Sequence, residues 1–176
     1  MAMKNWATNI TFHDAQTLHP TSVEELSAIV SKSAKVRVRG SGHCFNTIAD
    51  SYETVVVLDA LPKSVDIDSE NKVASVSAGA NYAEVAEALD AQGWALHNLA
   101  SLPHISIAGA IATGTHGSGI RNGALHTSVR AVEIISPDGS LRRIERDKDQ
   151  GFYSTVVGLG LTGIITRCEL DIEPTY

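Results

Sequence analysis

Val36-Arg37-Val38-Arg39-Gly40-Ser41-Gly42-His43 is the stretch on which the reading of this 176-residue chain turns. Apolar and charged residues alternate from Val36 to Arg39, which predicts a strand. The strand runs directly into a loop with two glycines. Without a Cβ, Gly40 and Gly42 let backbone N–H groups converge on an anion. A pyrophosphate is the natural guest, although glycine turns after strands are also common connectors. The loop is not a Rossmann fingerprint, because Phe45 stands where a third glycine is needed. His43 differs from the other histidines in following a glycine loop at once.

On the amino-terminal side, Thr21 and Ser22 precede Glu24 and Glu25 at capping-box spacing, predicting a helix over about 22–32. On the other side, Thr54 to Leu58 is an unbroken apolar run that reads as a buried strand. Val65 to Asp68 and Val73 to Ser77 suit a hairpin around Ser69-Glu70-Asn71. Asn81 and Glu84 form a second capping pair. They open a helix with Tyr82, Val85, Ala86 and Leu89 on one face, closed by Gly93. Val129 to Ile135, the turn Ser136-Pro137-Asp138-Gly139 and Leu141 to Ile144 make another hairpin. Phe152 to Val157 suits a short helix. Ile164, Thr166, Cys168, Leu170 and Ile172 alternate with polar or solvent-side residues, as in a strand with one buried face. Strand pairs with inserted helices predict an α+β fold rather than βαβ repeats.

The segment from Leu99 to Gly123 is rich in Gly, Ser, Thr and His, with one apolar stretch, Ile105 to Ala112. Long irregular segments inside a domain are usually functional. Gly109 to Gly119 superficially looks like a P-loop, but Thr115 occupies the position of the phosphate-gripping Lys. The small residues still permit close approach of a flat or extended ligand. Gly158-Leu159-Gly160-Leu161-Thr162-Gly163 matches GxGxxG literally. It follows a helical stretch and enters a strand, so it reads as a close-packed turn and argues against nicotinamide binding. His97, His104 and His116 flank or occupy the glycine-rich segment, while His13 and His19 read as surface residues.

Bulk properties exclude several classes. Net charge is −6 and the isoelectric point is near 5.6, so a basic footprint for nucleic acid is absent. No apolar run is long enough to span a bilayer, and MAMKNWATNI lacks a signal-peptide core, so a cytoplasmic protein without membrane contact is expected. Cys44 and Cys168 lack metal or disulfide-framework spacing and are expected to be reduced thiols. No histidine pair has the i, i+4 spacing of a helical zinc site, and no metal is expected.

Taken in series, the motifs resemble the FAD-binding domain of the vanillyl-alcohol oxidase (PCMH-type) flavoprotein family, in its alditol (xylitol-type) and aldonolactone oxidase branch. Residues 36–43 resemble the flavin-anchoring loop. Ala100 to Gly109, continuing to Gly114-Thr115-His116-Gly117-Ser118-Gly119, resembles the second FAD-binding stretch. Asn5-Trp6-Ala7, Val129 to Ile134 and the Pro137-Asp138-Gly139 turn fit the same pattern in order. The resemblance implies a small N-terminal subdomain, about 1–77, and a larger mixed subdomain, about 78–176, with FAD extended between them. It places Val38, Arg39, Gly40, Ser41, Gly42, His43 and Cys44 along the pyrophosphate and flavin. It adds Ser101, Ser106, Gly109, Thr113, Gly114 and Thr115 from the second stretch, and Ile164 at the adenosine through its backbone. Ser101 is the candidate catalytic residue near the flavin. The residues alone leave His43 as a group that only hydrogen-bonds the cofactor or backbone; the resemblance implies a covalent bond to flavin.

The implied reaction moves hydride from a carbinol of a polyol or aldonolactone to flavin, with O2 reduced to hydrogen peroxide. Cys44 stands where related chains often have Ser, and Ser101-Leu102-Pro103-His104 lacks the second anchoring Cys of some relatives. One covalent bond is therefore expected. Full oxidases of the family continue into a substrate domain, and this sequence ends about where that domain would begin. The expectation is a cofactor domain with limited turnover of its own. The alternative is a stand-alone flavin-binding module or subunit.

Overall fold

The computed structural model describes residues 3–13 and 16–176; the reading of the N-terminus as lacking a leader partly falls on residues 1–2, outside that range. β1 (Gln16–Leu18), β2 (Val36–Val38) and β3 (Thr54–Val56) form a parallel sheet in the order β1-β3-β2. Val55 and Val56 are fully buried, as a central apolar run requires. Between β1 and β2 lies α1 (Val23–Lys32). The Ser22 hydroxyl accepts from the Glu25 N–H, while the Glu25 carboxylate accepts from the Thr21 N–H. Leu26 and Val30 are its buried side.

β4 (Val65–Asp68) and β5 (Val73–Ser77) form the expected hairpin, and α2 (Tyr82–Asp90) follows behind a complete Asn81/Glu84 capping box. The two-residue strand β6 (Trp94–Ala95) comes next. The apolar core of the 99–123 segment winds into α3 (Ile107–Ala112), with Ile107, Ala110 and Ile111 buried. A 3-10 turn over Leu125–Ser128 leads into β7 (Val129–Ile135). β8 (Leu141–Glu145), α4 (Phe152–Val156), β9 (Ile164–Asp171) and β10 (Glu173–Pro174) complete the order.

The main sheet runs β4-β5-β9-β7-β8, with every pairing antiparallel. This is the expected α+β architecture of strand pairs with inserted helices. β9 is central, and Cys168 and Leu170 on it are buried while Glu169 and Asp171 are half-buried. Ile165 is buried as well, on the opposite side of the strand from Ile164. β4 and β5 pair into this sheet although residues 65–77 precede the subdomain boundary drawn from the sequence. Their neighbour, β9, lies some ninety residues later, as in Ser75 opposite Glu169. β10 pairs with β6, a short ladder for which the sequence carried no signal.

Candidate functional site

The parallel strands β2 and β3 deliver their carboxyl ends to one place. Past β2 the chain enters the loop 39–44, and past β3 it enters Val57-Leu58-Asp59. Both segments wall a cavity of about 700 Å³, the size of a cofactor site. Its opposite wall comes from α3 and the residues flanking it. Arg39 continues the strand hydrogen bonding by donating its N–H to the Val56 carbonyl, 2.9 Å, so the loop starts from a fixed point.

The second segment is fixed by the amino end of α2. The Tyr82 and Ala83 N–H groups have no partner inside the helix and donate instead to Ile105 and Pro103 carbonyls, 3.1 and 2.8 Å. The Ile107 N–H returns to the Ala80 carbonyl, 2.9 Å. This pairing sets Ser106 beside the glycine loop, where its N–H donates to the Ser41 Oγ, 3.3 Å. A Cβ on Gly40 would lie 2.2 Å from the Ser106 Oγ, and one on Gly109 would lie 2.6 Å from it. The glycines therefore make room for a serine hydroxyl wedged between the two segments. The same Oγ is buried and has no hydrogen-bond partner.

Beside Arg37, whose Nε is also buried without a partner, Arg39 is another unsatisfied group in the wall. Its side chain is 4% exposed, its Nη2 is buried without a partner, and it lies in the cavity wall. Its guanidinium carbon sits 4.9 Å from the Phe12 ring centroid. Burial pulls its pKa below the ordinary value, opposed chiefly by the nearby Asp50 carboxylate. A buried cation with an orphan donor and a buried orphan hydroxyl are a standing cost that an anionic, acceptor-rich ligand would remove.

His43 is half-buried at the cavity rim. Its Nε2 lies 2.8 Å from the Nε2 of His104, also in the wall. One of the two rings donates and the other accepts. Burial, then the neighbouring His104, lower the His43 pKa, so its neutral form is favoured.

The cavity brings together eleven of the residues singled out from sequence: Val38 to Cys44 from the loop, and Ser106, Gly109, Thr113 and Thr115 from the second stretch. Thr113 spends its hydroxyl proton on the Gly109 carbonyl, 3.0 Å, and keeps its oxygen 3.1 Å from that of Thr115. Three residues stand outside the wall. Gly114, with φ +66, closes α3 and serves the turn. Ser101 is exposed, and Ile164 points into the core while its neighbours Gly163 and Ile165 reach the cavity. The two-residue side-chain period explains that last exchange.

Sequence reasoning passed over several wall residues. Ala78 and Gly79 cross beneath Leu58, where a Cβ on Gly79 would lie 2.3 Å from the Leu58 carbonyl oxygen. The run Ser77-Ala78-Gly79-Ala80 was the available signal. Leu159 and Gly160, in the turn read as packing alone, also border the cavity. His13 and His19 are surface partners of Asp50 and Asp59, each at 2.6 Å. Among the described residues there is no cluster of three or more metal-ligating side chains, and no helix is long and apolar enough to cross a membrane.

Comparison with known proteins bears on this geometry. The model of a family described as an FAD binding domain matches residues 15–145. The chain belongs to that FAD-binding family. An alditol oxidase of Streptomyces sp. (strain IKD472 / FERM P-14339) is 45% identical over 99% of this chain and 43% of its own length. A putative D-arabinono-1,4-lactone oxidase of Neurospora crassa is 33% identical over 98% of this chain and 32% of its own. An L-gulonolactone oxidase of Scyliorhinus torazame is 29% identical over 98% and 40%. The chain thus spans less than half the length of these relatives. The residues present fit FAD: a cofactor-sized cavity, two glycine-containing walls, a buried guanidinium and a buried hydroxyl awaiting acceptors.

Proposed function

We propose that this chain is the cofactor half of an oxidase that removes hydride from a carbinol of a polyol or aldonolactone. The observation that carries the reading is the set of orphan donors, Arg37 Nε, Arg39 Nη2 and Ser106 Oγ, in a cavity lined by both glycine segments. The names of the relatives, alditol and aldonolactone oxidases, supply the substrate class. Bound FAD would supply the hydride acceptor and pass electrons to O2, giving hydrogen peroxide.

The chain's own residues bind and orient. Arg39 and Ser106 donate to phosphate oxygens, while Gly40, Ser41, Gly42 and Gly109 allow close backbone approach. Val38, Cys44, Thr113, Gly114 and Thr115 complete the walls and turns around them, and Ile164 holds the strand that carries Ile165. Ser101 is exposed on its loop, and among the described residues no hydrogen bond joins its hydroxyl to a base that would activate an alcohol. Efficient polyol oxidation is therefore expected to need groups beyond these residues. The division into a small N-terminal and a larger subdomain belongs to the same reading. A cytoplasmic setting is supported by the two free thiols, half-buried Cys44 and buried Cys168.

His43 is the proposed covalent anchor. Covalent attachment needs a neutral imidazole with a free lone pair. When His43 Nε2 donates to His104, Nδ1 carries that lone pair. Its lowered pKa keeps the ring neutral near physiological pH. Mass analysis of the cofactor in purified, FAD-loaded chain tests the reading: FAD is expected, and FMN alone would refute it. Acid-denatured protein on a gel tests the anchor. A flavin-fluorescent band is expected in wild type and not in His43→Ala; release of all FAD from wild type excludes the covalent bond and leaves noncovalent binding standing.

A further inference from the structure

The glycine loop 39–44 is gripped from outside the region that the family model covers. Residues 3–12 fold back on themselves through the Asn5 N–H to the Ile10 carbonyl, 3.0 Å, and the Phe12 N–H to the Met3 carbonyl, 2.8 Å. Thr8, with φ +61, sits at the bend. The match to the family model begins at residue 15.

This small fold touches the loop at four successive places. Phe12, fully buried, carries the Arg39 guanidinium on its ring face. The Trp6 N–H donates to the Gly42 carbonyl, 2.9 Å. The Trp6 indole stacks on the His43 imidazole, centroids 4.8 Å apart at 25°. The Asn5 Nδ2 donates to the Cys44 carbonyl, 3.0 Å, and its Oδ1 accepts from the Ile10 N–H, 2.9 Å. Asn5 is 3% exposed and hydrogen-bonded on both sides of its amide, the mark of a structural bolt. Trp6 is different. It is 53% exposed, so burial of its large ring does not explain its position. What the ring does cover is His43, while its centroid also lies 6.3 Å from that of His104.

We propose that residues Asn5 to Phe12 form a latch that presets the cofactor loop, with Trp6 as a positioning residue that fixes the His43 ring against His104. The proposal rests on FAD as the occupant of the cavity, and not on the covalent bond. Free, the His43 side chain samples several rotamers and must lose them when the cofactor arrives; stacked on Trp6 and hydrogen-bonded to His104, it has lost them already. The backbone bond to Gly42 does the same for the loop, whose Gly42 adopts φ +70 and is otherwise free to turn.

The test uses the whole chain as wild type, Trp6→Ala, Trp6→Phe and Asn5→Asp. Three quantities are read: FAD affinity by titration calorimetry, His43 ring-proton shifts in cofactor-free protein by NMR, and thermal stability. In wild type the His43 ring protons should be shifted upfield by the stacked indole. Trp6→Ala should abolish that shift and raise the FAD Kd about tenfold, the scale of one lost aromatic pair. Trp6→Phe should restore the shift in part and bring the Kd to within about threefold of wild type. Trp6→Ala should keep its unfolding temperature within about 4 °C, since the residue is half exposed. Asn5→Asp, which sets a carboxylate against the Cys44 and Asn9 oxygens, should weaken FAD about tenfold or more. An unchanged Kd and unchanged His43 shifts in Trp6→Ala would overturn the latch. So would a loss of FAD binding that follows a matching loss of stability and is not rescued by Phe, because Trp6 would then be structural only. Should wild type itself fail to bind FAD, the functional reading falls, while the His43 shifts still decide whether Trp6 positions that ring.

Discussion

Two glycine turns border the same cavity and do opposite jobs. In the loop 39–44, the Cβ missing from Gly40 leaves room for a side-chain atom, the unpartnered Ser106 Oγ. In the turn 158–163, the Cβ atoms missing from Gly158 and Gly163 leave room for backbone. A Cβ on Gly163 would lie 2.6 Å from the Ile135 carbonyl oxygen, and one on Gly158 would lie 2.3 Å from that of Ser154. A hydroxyl can rotate away; a carbonyl in a strand or helix cannot. The first turn is thus adjustable, whereas the second is locked by the fold. Composition does not separate them, since both are short, glycine-rich and next to a strand.

The contrast is most exposed to attack at Gly163. Its φ of +153 is one that L residues rarely adopt, and the clash is with strand β7. Gly163→Ala is expected to lower stability by about 3 kcal/mol, from strain plus overpacking, in urea unfolding. A loss under about 1 kcal/mol would show the turn to be as adjustable as the loop.

Gly40→Ala should cost less stability, about 1 kcal/mol, because Ser106 can turn aside. Its larger effect should be on FAD affinity, since the displaced hydroxyl moves into the cavity. Combining it with Ser106→Ala removes the atom in conflict and leaves the Ser106 Cβ at a tolerable 3.4 Å. The two substitutions are expected to couple by about 1 kcal/mol in a double-mutant cycle. Additivity would mean that Gly40 serves the ligand directly and not through Ser106.

The loop also has a pH signature that the turn lacks. The His43 pKa is lowered by burial and by His104, so the folded chain takes up this proton less readily than the unfolded chain. Stability should therefore fall slightly as pH drops through the ordinary histidine range, and level off below the folded pKa. An NMR titration should find His43 neutral to lower pH than an unperturbed histidine. His104→Gln should move its titration up towards the ordinary value, and an unmoved titration would leave burial as the only cause.

The smallest effect is chemical. Cys44 lies half-buried in the adjustable loop, and Cys168 lies fully buried on β9 behind the locked turn, its thiol pushed up to about 12 by burial. An alkylating reagent near neutral pH should modify Cys44 and spare Cys168 until the chain unfolds. Equal labelling of both would mean that the sheet opens as readily as the loop.

Much of this was legible in order along the chain. Period-two alternation from Ile164 to Ile172 and the capping pairs at Ser22 and Asn81 depend on neighbours within a few residues, so they could be read directly and were found in place. The two glycine stretches, 36–43 and 100–119, marked the site for the same reason: a loop that must approach a ligand closely shows it in its own composition. The role of each glycine was not legible. It depends on what lies across the gap, Ser106 for Gly40 and Ile135 for Gly163, and those partners are 66 and 28 residues away in sequence. The exchange of Ile164 for Ile165 at the cavity turned on which face of β9 the sheet buries. The pairing of β5 with β9, the ladder of β6 with β10 and the stacking of Trp6 on His43 are likewise contacts between distant segments. Local sequence determined the elements, the α+β class and the glycine stretches that supply the cavity wall, because those follow from φ/ψ preference, periodicity and local composition. Only the tertiary structure decided which side chains meet in the cavity, because burial and steric room are set by whatever the rest of the chain packs opposite.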